Sequence, residues 1–209
     1  MNLQTHLKKH NAIYKFMIKI LIIVSSCFFI SSSCNSQKIE PCAQKLKVVN
    51  DLIFYHPNVE NPAYDSALIL INDLKSCDDS IRTKVVKIKF MILLAQERFD
   101  EGADWVSALA KNEFPFPFQK ESWYDYYQAA DFENHNNIKS RDSIYAISAL
   151  KLRSYEKQKK LVDPEFNEFF RELLQIESII LNKDSLNDEL DVYISLYPQK
   201  RDYFEFWRK

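Results

Sequence analysis

The chain has 209 residues, 46% of them hydrophobic and 27% charged, with 28 basic and 29 acidic side chains. That is enough for one domain with a sizeable core, and the balance of charge lacks the basic excess that a nucleic-acid partner would call for. Glycine occurs once, at Gly102, where average usage would give roughly fifteen. Sheets, barrels and hairpins use glycine for positive-φ turns, so the composition predicts an all-α fold with turns built from Asn, Asp, Ser and Pro.

Residues 1–33 contain no Asp or Glu and carry Lys8, Lys9, Lys15 and Lys19. The uncharged run Ile20 to Ile30 follows. It is too short to span a bilayer, which takes about twenty apolar residues, and it fits the apolar region of a signal peptide with the lysines before it. Met17 opens a more compact signal of the same kind, so Met1 and Met17 both stand as starts. Ser31, Ser32 and Ser33 supply the small residues of a cleavage point, and Cys34 comes next.

This arrangement resembles the lipobox of bacterial lipoproteins. The resemblance covers the leader and Cys34, with Ser31 standing where Leu is usual. It implies that Cys34 receives a diacylglyceryl group, becomes the new N-terminus and carries fatty acyl chains of the palmitate kind. Cys27 is a rival position, and an ordinary secretory signal with an incidental cysteine is the alternative. The absence of Asp after Cys34 implies, by resemblance to lipoprotein sorting, the outer membrane. Removing the leader leaves 24 basic and 29 acidic residues, a net charge near −5. That argues against nucleic acid and against electrostatic binding to anionic lipid, and leaves the acyl chains as the membrane attachment.

Residues 34–40 read as a short polar tether and 41–209 as a helical domain. Pro41 suits a first helical turn and opens a helix to about Tyr55, with Leu46, Val49 and Ile53 on one face. The segment His56 to Pro62 breaks it. A second helix runs from about Pro62 to Lys75, with Ala67, Leu68, Ile71 and Leu74 inward. Asp79 or Ser80 caps a third, Ile81 to about Arg98, and a fourth runs from Glu101 to about Lys111. The Phe-Pro segment at Phe114 to Phe118 is extended, because residues before proline avoid the helical region. Further helices are predicted near Trp123–Asn134, Ser140–Leu161, Glu165–Leu181 and Ser185–Leu196. Short turns between neighbours make antiparallel hairpins, so eight helices give four.

Residues Ala63 to Leu74 echo Arg98 to Leu109 at an offset of 35: Tyr64 with Phe99, Asp65 with Asp100, Ala67 with Gly102, Ile71 with Val106, Leu74 with Leu109. This resembles the second-helix half of a tetratricopeptide repeat, whose period is about 34. The resemblance covers about half of the chain after Cys34. The first-helix pattern of that family is missing around Lys89 and Phe90, and the last two hairpins do not align with the first two. It implies stacked hairpins forming an α-solenoid. The alternative is a compact helical bundle.

If Cys34 is acylated, Cys42 and Cys77 remain as an even pair. They fall at the start of the first helix and just past the end of the second, which are neighbours in an antiparallel hairpin. A disulfide is expected there, with two free thiols as the alternative. His56 and His135 are far apart, and no His or Cys spacing of the metal-binding kind occurs. There is no glycine-rich phosphate loop and no nucleophile elbow. The chain is therefore read as a non-enzyme with no metal and no cofactor.

The aromatic residues stand out. Phe114, Phe116 and Phe118 alternate through the Phe-Pro segment, Trp123, Tyr124, Tyr126 and Tyr127 follow, and Tyr203, Phe204, Phe206 and Trp207 close the chain. Large aromatics serve cores and end caps, and also binding surfaces. Phe116, Phe118, Tyr124 and Tyr127 are the candidate partner-binding residues. The expected function is that of a lipid-anchored cell-envelope protein whose helical repeats bind another protein or peptide. A structural subunit of an envelope assembly and a toxin-blocking immunity-type protein are the alternatives, with an enzyme whose acid–base pair hides among the surface carboxylates as a third.

Overall fold

The computed structural model describes residues 41–54 and 63–208. The leader, Cys34, the tether and the 56–62 break lie outside the described residues. Every described element is helical. In chain order they are α1 (Pro41–Phe54), α2 (Tyr64–Asp73), α3 (Asp79–Ala95), α4 (Phe99–Ala108), α5 (Gln119–Asn134), α6 (Ile138–Gln158), α7 (Glu165–Ile180), α8 (Lys183–Leu196) and the short α9 (Arg201–Glu205), with 3-10 turns at Leu74–Ser76, Lys111–Glu113 and Pro198–Lys200. The eight predicted helices are present and α9 is added. No described helix is long and apolar enough to cross a membrane.

The chain divides into two compact units, Met1–Val85 and Val86–Lys209. In the first, α1 packs on α2 and buries Leu46, Val49, Ala67, Ile71 and Leu74. A disulfide joins Cys42 to Cys77 with Cα atoms 6.1 Å apart, as the hairpin geometry predicts. The next helix is capped one residue earlier than expected: Asp78, not Asp79 or Ser80, accepts from the Ile81 backbone N–H at 3.1 Å.

In the second unit successive helices pack on one another from α4 through α9. The turns are short because two of them close in the same way. At the end of α3, Glu97 N–H donates to the Leu94 carbonyl and Arg98 N–H to that of Leu93. At the end of α5, Asn136 N–H donates to Glu133 and Asn137 N–H to Phe132. Both are Schellman closures, and the residue at the left-handed position has φ of 58° in each. Glycine is the usual occupant; here the positions hold Glu97 and Asn136.

The single glycine is spent elsewhere. Gly102 lies buried within α4, and a Cβ there would overlap the ring of Tyr127 on α5. Tyr127 is fully buried and its hydroxyl donates to the Phe90 carbonyl on α3 at 2.8 Å. One tyrosine thus seats α5 against both helices of the preceding hairpin, and the missing side chain at Gly102 lets it in.

The echo at offset 35 marks equivalent elements. The helices α2 and α4 are both ten residues long, start 35 residues apart and follow N-caps of matching backbone conformation. Ala67 and Gly102 are both buried, as are Ile71 and Val106.

Two substitutions separate the two backbone devices. Gly102→Ala is expected to destabilise by about 1–3 kcal/mol through overpacking, although alanine is the better helix former. Glu97→Gly is expected to stabilise by about 0.5–1 kcal/mol, because relief of left-handed strain exceeds the entropy cost of glycine. Urea denaturation of each variant measures both signs. In the first unit, reduction of the disulfide that closes the 35-residue separation is expected to remove roughly 3–4 kcal/mol in the chain-entropy model. Limited proteolysis with and without reductant should show cleavage in α1 and α2 only when the thiols are free.

Candidate functional site

Most of the aromatic segment belongs to the core. Phe114 and Trp123 are buried edge to face, with Trp123 stacked on Phe90 of α3 at 4.3 Å between centroids. Phe118 is buried against Phe169 of α7 and Tyr155 of α6. This corrects two of the expected binding residues. Phe118 is held between α6 and α7, and Tyr127 is held at Gly102, so neither ring is open to a partner. Phe116, stacked on Phe118 at 5.9 Å, and Tyr124, whose hydroxyl accepts from Gln128, are half-buried and keep one edge at the surface. At the C-terminus Phe204 is fully buried against Phe166, Phe170 and Tyr193, as an end cap would be, while Phe206 is 82% exposed.

A carboxylate holds this aromatic core in register. Glu172 on α7 is buried. Its Oε1 accepts from Gln119 Nε2 at 2.8 Å and Trp123 Nε1 at 3.0 Å, and its Oε2 accepts from Ser122 Oγ at 2.5 Å. Gln119 Oε1 in turn accepts from the Phe116 backbone N–H at 3.1 Å. The chain of bonds runs from α7 through the first turn of α5 into the Phe-Pro segment. Burial pushes the Glu172 carboxyl above its usual range, against the pull of its three donors and of Arg171. A few residues away, Lys87 of α3 meets Glu168 of α7 at 3.4 Å, and Arg171 also pairs with Glu168. The first helices of three hairpins, α3, α5 and α7, are therefore linked pairwise by side chains.

A second buried acid, Glu177, ties α6, α7 and α8. Its Oε1 accepts from Arg153 Nη2 at 2.6 Å and from the Tyr193 hydroxyl at 3.0 Å, and Arg153 also reaches Glu189. Burial raises the Tyr193 hydroxyl far above its usual value, with the Glu177 charge beside it adding to the shift.

The open surface lies elsewhere. A cleft of about 460 Å³ is formed by the end of α6, the 159–164 link, Phe166 at the start of α7, and Tyr197 to Lys200 after α8. That volume is within the range of ligand sites. Phe166, Tyr197 and Leu161 supply an apolar floor, and Lys157, Lys159, Lys160 and Lys200 stand around it. None of these was a predicted site residue. Beside the cleft, α6 exposes an uncharged strip of Ser143, Ala146, Ile147, Leu150 and Ser154, in which Ile147 is 49% and Leu150 66% exposed. Gln158, in the cleft wall, donates to Ser154 at 3.2 Å, so strip and cleft are continuous along one helix. Among the described residues no group of three His, Cys, Asp or Glu side chains is placed to hold a metal ion.

No protein-family model, curated protein or solved structure matches the chain.

Because the folded carboxyl of Glu172 is raised above its unfolded value, the folded state takes up the proton more readily. Stability from this group is whole below the ordinary carboxylate range and is lost as pH rises through the raised value. Glu172→Gln, which keeps the shape without the charge, should therefore gain on the parent as pH rises from about 5 to 8. Urea midpoints across that range check it, and parallel pH curves for the two proteins would refute it.

Proposed function

We propose that this chain is a lipid-anchored cell-envelope protein, attached through Cys34, whose helical hairpins bind another protein or peptide. One observation carries the binding reading: the strip on α6, where Ile147 and Leu150 stand exposed among small uncharged residues. Scattered single apolar side chains on a surface are ordinary, but Ile147 and Leu150 are adjacent at helical spacing, with the neighbouring Lys151 paired to Asp125, and together leave a small apolar patch. The similarity of the Ala63 to Leu74 and Arg98 to Leu109 segments supports a divergent tetratricopeptide-like repeat, a fold form suited to displaying such faces. Support for the anchor comes from the apolar leader, the three serines and Cys34.

Crosslinking in intact cells followed by affinity capture tests both parts. The parent chain should capture a defined partner, and Ile147→Glu with Leu150→Glu should lose it while retaining helical content and solubility. Cys34→Ser should leave the membrane fraction or keep its leader. Undiminished capture by the double variant would overturn the binding face, and a processed, membrane-bound Cys34→Ser protein would overturn the anchor.

A further inference from the structure

The lysines around the cleft are not equivalent. Lys159 pairs with Glu165 at 2.7 Å and donates to the Tyr155 hydroxyl. Lys200 pairs with Asp163 at 2.5 Å and lies over the Phe166 ring, 5.0 Å from its centroid. The two acids in the lining are also engaged, Asp163 with Lys200 and Glu156 with the Tyr197 hydroxyl at 2.6 Å. Lys157 and Lys160, both exposed, have no acidic partner among the described residues. They sit on either side of Gln158 and Lys159 at the point where α6 ends, three positions apart. Two uncompensated cations therefore border an apolar, aromatic floor, in a chain whose charge without the leader is near −5. Val162, 59% exposed, extends the apolar surface on the link.

We propose that this cleft takes an acidic peptide segment of the partner, setting its carboxylates against Lys157 and Lys160 and an apolar side chain between Tyr197, Phe166 and Val162. The proposal rests on the protein-binding reading and names the partner's chemistry. Charge complementarity selects the occupant: the cations answer carboxylates, and the floor answers a side chain that a free inorganic anion lacks. The exposed strip on α6 leads into the cleft through Ser154 and Gln158, so a peptide continuing along that helix would meet Leu150 and Ile147 next.

The test uses the full chain and a fluorescein-labelled nonapeptide of Glu-Glu-Leu repeats, with a Gln-Gln-Leu peptide as the neutral counterpart. Anisotropy titration should show the acidic peptide binding roughly tenfold more tightly, with the preference shrinking as salt is raised. Lys157→Glu combined with Lys160→Glu should weaken the acidic peptide by roughly tenfold or more and leave the neutral one unchanged. Far-UV circular dichroism checks that both exposed substitutions leave the fold intact. Equal affinity for the two peptides, or insensitivity to the double variant, overturns the proposal. So does lysine-dependent binding of inorganic phosphate, or of phosphatidylglycerol vesicles, without binding of the acidic peptide. If the peptide result fails while capture still depends on Ile147 and Leu150, the binding reading stands and only the partner's chemistry falls.

Discussion

The second unit is organised around one buried carboxylate. Glu172 sits where three donors from the N-terminal end of α5 converge, and a charge so placed must be fully hydrogen-bonded or it costs several kcal/mol. Gln119, Ser122 and Trp123 meet that demand only if α5 begins at Gln119 and turns its N-terminal end toward Glu172 of α7. Trp123 then stacks on Phe90, Tyr127 reaches Gly102, and α3 is drawn into the same contact set. The carboxylate thereby selects one register of α5 among several that an aromatic core alone would tolerate. Polar groups of this kind specify geometry more than they add stability.

Much of the fold was legible in the residues. Apolar spacing placed the eight longer helices, and the offset-35 echo marked α2 and α4 as equivalents. Cys42 and Cys77 fell at neighbouring hairpin ends and are joined. The start of α5 was not legible: its first turn, Gln119 to Ser122, is polar because it faces Glu172, and polar residues before a tryptophan resemble a loop. Glu172 itself left a faint signal, falling three residues after Phe169 and four before Ile176, helical spacing from two core positions. Glu177 did the same, four residues after Leu173. Acids at core spacing are easily taken for solvated ones when many real surface acids surround them.

The binding residues were legible only as a class. Aromatic density pointed to the Phe-Pro segment and α5, but density alone does not distinguish a packed ring from a displayed one. Phe118 and Tyr127 have partners supplied from 37 or more residues away in sequence, Phe169 and Phe90, and such contacts leave no local mark. The cleft was invisible for the opposite reason. Lysines at the end of a helix are what any helix C-terminus favours. Their meaning depends on which acids the fold brings to neutralise them, and among the described residues Lys159 and Lys200 have such acids while Lys157 and Lys160 do not.

The organising role of Glu172 is tested most directly by a double-mutant cycle between Trp123→Phe, which removes the indole donor, and Glu172→Gln. If the carboxylate sets the register of α5, the two changes act on one network, and their stability effects should differ from additive by about 1 kcal/mol or more at neutral pH. Additivity within about 0.3–0.5 kcal/mol would show that α5 is seated by its apolar contacts alone and would contradict the account.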